Sequence, residues 1–169
     1  MAKLSDKMVV ELNAQLGREL SAANQYLSMA IYLDDRSLKE LSAFFYAQAD
    51  EEREHAMKFL HYLLHANSMP VIPAIPEPIA AFESIEQIAQ MGLEQEQEVT
   101  RCIHELVDLA LSEKDHTTNR FLQWFVEEQL EEEATFSELL DVIRQTENLL
   151  LVEQYVFRQK PGSGIVVSE

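Results

Sequence analysis

Four glutamates, Glu19, Glu52, Glu96 and Glu132, occupy positions at which side chains of the same helical spacing are mostly apolar. Around Glu19 the run at 3-4 spacing is Leu12, Leu16, Glu19, Ala23, Tyr26, Ala30, Leu33. Around Glu52 it is Leu41, Phe45, Gln48, Glu52, His55, Phe59, Tyr62. The third run is Ala89, Gly92, Glu96, Val99, Ile103, Leu106, Ala110, and the fourth is Phe121, Phe125, Glu128, Glu132, Thr135, Leu139, Val142. Such spacing marks the stripe that a helix turns toward a bundle core. Each glutamate lies near the middle of its run, so four packed helices bring the acids to one level. A single unpaired buried carboxylate costs several kcal/mol, and no run contains Lys or Arg to neutralise one. Two divalent cations match the charge of four carboxylates. His55 follows Glu52 by three residues on the same helix face, so one metal can take an oxygen and a nitrogen together. Three residues after Glu132 stands Thr135 rather than a second histidine, which predicts unequal sites, one with a nitrogen ligand and one all-oxygen. Taken singly, Glu51, Glu54, Glu127, Glu131 and Glu133 read as solvated faces.

Positioning these groups takes long helices, and the distribution of helix breakers provides them. Of five prolines in 169 residues, four are Pro70, Pro73, Pro76 and Pro78. The fifth, Pro161, opens a tail with Gly162 and Gly164, and elsewhere glycine occurs only at Gly17 and Gly92. The stretches between are rich in Leu, Ala, Glu and Gln and predict an all-α chain. Helices are expected at about 6–33 (cap Ser5 or Asp6), 38–66 (cap Ser37), 85–113 and 118–145 (starting from Thr117 or Thr118). Ser84 and Gln87 form a capping-box pair before the third. A short fifth helix is expected at 147–158 and a flexible tail at 160–169. Short links make two antiparallel hairpins, and the extended Met69–Phe82 segment crosses between them. The expectation is one domain over 1–169, a four-helix bundle with a long crossover.

With 13 Lys+Arg against 30 Asp+Glu the formal net charge is −17, which excludes nucleic acid and anionic membranes as natural partners. No apolar run approaches the ~20 residues of a membrane span, and Met1–Lys7 lacks the apolar core of a secretion signal. The single cysteine, Cys102, forms no internal disulfide and is expected to be a free thiol, consistent with a cytoplasmic protein. His61, His65, His104 and His116 have no partners at ligand spacing and read as surface or packing residues.

Di-iron carboxylate bundles use Glu from two helices and Glu-x-x-His from the others. The chain resembles the bacterial non-haem ferritins over nearly its whole length. The resemblance is carried by Glu19 with Tyr26, by Glu51-Glu52-Arg53-Glu54-His55-Ala56, by Glu96, and by the segment from Phe121 to Glu133 (FLQWFVEEQLEEE). It implies a ferritin-like bundle and a ferroxidase that oxidises Fe(II) to Fe(III) with O2 or H2O2. It further implies an iron store, ferric oxyhydroxide held inside a homo-24-mer. Position by position, it puts one iron on Glu19, Glu52 and His55 and a second on Glu52 as bridge, Glu96 and Glu132. A third iron would lie near Glu51, Glu128 and Glu131, with Gln129 at a weak-ligand or outer-sphere position. Tyr26 would bond a ligand carboxylate and supply an electron, and Trp124 is read as packing. No haem is expected, because Arg53 and Thr135 stand where the haem-binding relatives have methionine and histidine. Asn119 and Leu122 stand where animal ferritins line a threefold channel with acids. A di-iron oxidase without storage is the rival enzyme, and a metal-free structural bundle the rival from another class. No Cys-x-x-Cys pair is present to feed the former with electrons.

Overall fold

The computed structural model describes residues 4–159. Every element among them is helical: α1 (Asp6–Asp35), α2 (Lys39–His65), α3 (Ile85–Ser112), α4 (His116–Gln145) and α5 (Leu149–Gln159). The expected tail at 160–169 lies outside the described residues.

Two expected helix caps are found and one is not. Ser5 Oγ accepts from Met8 N at 3.0 Å, and Ser84 Oγ accepts from Gln87 N at 3.0 Å. Gln87 reaches back to accept from Glu83 N, one residue before the cap, a shifted form of the capping-box bond, which would go to the cap's own N–H. Ser37, expected to cap α2, instead takes the left-handed conformation (φ 63) that closes the turn after α1. Leu38 then precedes the helix with no acceptor of its own. The acceptor comes from α5: the Glu153 carboxylate receives Glu40 N at 2.9 Å and Leu41 N at 2.8 Å. The cap of α4 is Asp115, which accepts from Thr118 N at 3.0 Å, and the helix starts at His116, a residue or two before the expected Thr117 or Thr118. Thr118 is buried and pairs through its hydroxyl with Tyr62 Oη at 2.7 Å. Because Glu153 serves two otherwise orphaned N–H groups, Glu153→Ala is expected to cost about 1 kcal/mol, as loss of a local cap does. A thermal midpoint equal to that of the parent would refute the role.

The positions expected to be buried on α1 and α3 are all buried, and on α2 only Tyr62 stays half-exposed. The frame expected on α4 is corrected at four places. Its buried series is Thr118, Leu122, Phe125, Gln129, Glu132, Phe136, Leu139 and Ile143. Phe121, Glu128 and Val142 are therefore half-buried and Thr135 is exposed. Thr135 points away from the core, and the core-facing partner of Glu132 at three-residue spacing is Gln129.

α1 packs along α2 and α3 along α4, while the hairpins approach most closely at α1 and α3. Between α2 and α4 the gap is filled by rings: Phe59 on Phe125 (4.3 Å between centroids) and Tyr62 on Phe121 (4.0 Å), both stacked. Two apolar clusters result. One holds Tyr26, Met29, Leu41, Phe45 and Phe136; the other holds Met8, Leu12, Leu16, Phe59, Ile103 and Phe125. Gly92 admits the Phe136 ring, which a Cβ there would meet at 2.3 Å.

The crossover is fastened to α1. Asn13 Oδ1 accepts from Val71 N, Gln25 bonds both backbone groups of Ile79, and Tyr32 Oη donates to Phe82 O at 2.9 Å. α5 docks back onto its own bundle through Val152 and Val156. Its other face leaves Leu150 (70%), Leu151 (51%) and Phe157 (50%) exposed. The helix α5 thus has two faces, and one of them is used within the subunit.

Candidate metal centre

Between the two apolar clusters lies a layer of acids. Glu19, Glu52, Glu96 and Glu132, one from each of α1 to α4, are all buried, as is His55. Glu52 is central, with the charges of Glu19 and of Glu96 both acting on it. Burial, followed by the charge of Glu19 and Glu96, holds the Glu52 carboxyl well above the usual range. Burial lifts Glu96 to about 7 despite bonds donated by Tyr26 and Gln129. It lifts Glu132 to about 9, with Glu96, Glu51 and Glu128 adding repulsion. Dehydrated carboxyls that repel one another are the expected result of burying acids without cations.

His55 behaves oppositely. Burial, followed by the Lys58 charge, lowers it to about 4, so the ring is neutral at ordinary pH. Its Nδ1 lies 3.6 Å from Glu52 Oε2; with the ring uncharged this is a contact, not an ion pair. A neutral imidazole offers a lone pair to metal.

Two sets of side chains can each bring one ligand atom within 4.8 Å of all the others: Glu19, Glu52 and His55, and Glu51, His55, Glu128 and Glu132. His55 belongs to both; of the expected all-oxygen site, Glu52 falls in the first set and Glu132 in the second. Glu96 lies in neither set, although Tyr26 donates to its Oε1 and Gln129 Nε2 to its Oε2 at 3.1 Å. Glu131 is exposed and outside both sets. Glu19 Oε2 and Glu52 Oε2 are buried without a hydrogen-bond partner. An orphaned pair of carboxylate oxygens beside a neutral imidazole fits a divalent cation, which would satisfy both.

Further residues support this layer. Gln15, buried one turn before Glu19, donates to its Oε1 at 2.9 Å, and Arg18 holds Gln15 in turn at 3.1 Å. Gln48 donates to Glu51 Oε2 at 3.0 Å and also bonds Glu132. Thr100 accepts from Gln129 at 3.4 Å and donates to Glu133. Gln15 and Thr100 escaped the sequence reading. Gln15 was detectable as a polar residue at i−4 from a core acid; Thr100 lies off the core stripe and carried no signal. Tyr26 is wholly buried, stacked on Phe136 at 5.3 Å, with its phenol raised by burial and by Glu96. Leu122 is part of the subunit's own core, and Asn119 is half-buried beside Gln123. Cys102 is buried, with burial raising its thiol, whereas His61, His65, His104 and His116 are exposed. No described helix is long and apolar enough to cross a membrane.

A carboxylate and imidazole layer at mid-height in a crossover four-helix bundle defines an iron-binding class of protein, and comparison with known proteins agrees. The Ferritin family, described as a ferritin-like domain, matches residues 9–146. The bacterial non-heme ferritin of Campylobacter jejuni is 38% identical over 157 residues, 90% of this chain and 94% of that protein. Ferritin BfrB of Mycolicibacterium smegmatis is 35% identical over 162 residues, covering 95% and 90%. Among solved structures, the open pore ferritin of Archaeoglobus fulgidus superposes with a TM-score of 0.91 at 36% identity. It covers 95% of this chain and all of that one. The chain belongs to the ferritin family, and its function is iron storage with ferroxidase activity.

Proposed function

We propose that the ferroxidase reaction takes place at a di-iron centre within each subunit. One Fe(II) would be held by Glu19, Glu52 and His55, and a second by Glu52 as bridge, Glu96 and Glu132. A third iron would sit near Glu51, Glu128 and Glu131, with Gln129 at its margin. The observation that carries this reading is the pair of orphaned oxygens on Glu19 and Glu52 beside neutral His55. Two Fe(II) each give up one electron: O2 with two electrons and two protons becomes H2O2, or H2O2 with the same becomes two waters. Carboxyls raised by burial release their protons as Fe(II) takes their place, which delivers protons where the oxidant is reduced. Tyr26, bonded to Glu96, orients that ligand and lies within reach to supply an electron.

Fe(III) then hydrolyses to oxyhydroxide inside a homo-24-mer of about 470 kDa, built from 19.4 kDa chains in the cytoplasm. Residues 1–169 act as one domain in that shell, and no haem takes part. The exposed leucines of α5 and the 36% identity to an open pore ferritin support assembly. Anaerobic Fe(II) soaking of crystals, with diffraction recorded at the iron edge, tests the assignment. Density on the two named ligand sets is the expected result. Iron confined to surface acids would overturn it, and a particle of one or two chains by light scattering would remove the storage shell.

A further inference from the structure

The Glu51–Glu128 end of the acid layer carries a lysine. On α2, Glu51, His55 and Lys58 stand at i, i+4 and i+7, hence on one face. The Lys58 ammonium is seated 3.9 Å above the centroid of the Trp124 ring. Trp124 lies one turn before Glu128 on α4, edge-on to His55 at 5.3 Å. A cation over an indole face is held in place by the ring quadrupole. Its charge acts on Glu51, His55 and Glu128 alike. A fixed positive charge beside a carboxylate set lowers the affinity of that set for metal.

We propose that Lys58, seated on Trp124, keeps the Glu51–Glu128–Glu132 carboxylates weak as a metal set, so that metal passes through it while the Glu19–Glu52–His55 set stays tight. This inference rests on reading both sets as iron ligands. Lys58 touches no substrate; it tunes by charge alone. Across several ångströms of wet protein, removing one positive charge strengthens binding of a divalent ion by on the order of five-fold.

Titration calorimetry of Zn2+ into the metal-free, assembled protein tests this with the parent, Lys58→Met and Lys58→Arg. The parent is expected to show tight and weak classes of site. Lys58→Met tightens the weak class about five-fold and the tight class less, since Lys58 acts there only through His55, and Lys58→Arg matches the parent. Raising the salt concentration shrinks the difference, as screening requires. A weak class unchanged in Lys58→Met, or both classes shifting equally, would overturn the inference. Glu52→Ala separates this failure from that of the site itself: if it binds Zn2+ as the parent does, the ligand assignment is wrong whatever Lys58 does. In a second readout, a repeat aliquot of Fe(II) is oxidised more slowly by Lys58→Met, because metal lingers; equal recovery counts against the role.

Discussion

Glu52→Ala is expected to lower the initial rate of Fe(II) oxidation at least 100-fold while the bundle still folds and assembles. Loss of an outer-sphere partner alone costs a metal site about 10–100-fold. Glu52 is more exposed to loss than any such partner, because it alone stands between Glu19 and Glu96. Removing it also deletes a buried, repelled carboxyl, so the metal-free variant should be no less stable than the parent. His55→Ala should fall in the same range through loss of the nitrogen donor common to both ligand sets. Stopped-flow absorbance of the ferric product measures the rates, and size-exclusion chromatography checks assembly. Unchanged rates in either variant would sink the assignment.

The metal-free protein should lose stability between pH 6.5 and 9, and a divalent cation should remove that loss. Glu96 and Glu132 have folded-state values of about 7 and about 9, against 4.5 when unfolded. In this window the folded chain keeps protons that the unfolded chain has released. Stability therefore falls as pH climbs through the folded values. His55 acts in the other direction, since its value drops from 6.5 to about 4, and its contribution grows between those limits and is constant above them. From pH 6.5 upward the carboxyls set the sign. Each pH unit of displacement is worth about 1.4 kcal/mol at most, so the loss amounts to a few kcal/mol. Thermal midpoints of the parent and Glu132→Gln across the window isolate the effect: the variant's curve should be flatter. Parallel curves would reject it. Saturating Zn2+ should flatten the parent's curve, because metal takes the place of the protons and binds only the folded state.

The bundle and the acid layer were legible because stripe and interruption coincide: on α1, α2 and α3 the core positions have apolar neighbours at 3-4 spacing and a single acid at the centre. On α4 the same logic slipped. Phe121 competes with Leu122 and Glu128 with Gln129, and each choice is between residues of similar hydropathy. Phe136 against Thr135 was the decisive clue, since an aromatic ring at the fourth residue after Glu132 fixes the buried face. The cap of α2 could not be read locally, because its acceptor, Glu153, lies 113 residues away from Glu40. Nor could the seat of Lys58, which depends on α2 and α4 meeting with Trp124 in their gap. Contacts between elements distant in sequence leave no periodic trace.

The division into two hairpins has a consequence for how the layer comes into being. Glu19, Glu52 and His55 all belong to the α1–α2 arm, so a complete three-donor set exists as soon as that arm closes. The Glu51–His55–Glu128–Glu132 set straddles α2 and α4 and exists only when the arms have docked. Transient parting of the arms would leave the first set whole and dismantle the second, so the two differ in persistence as well as in composition. The two sets thus depend on different contacts, the first on closure of one arm and the second on the docking of both.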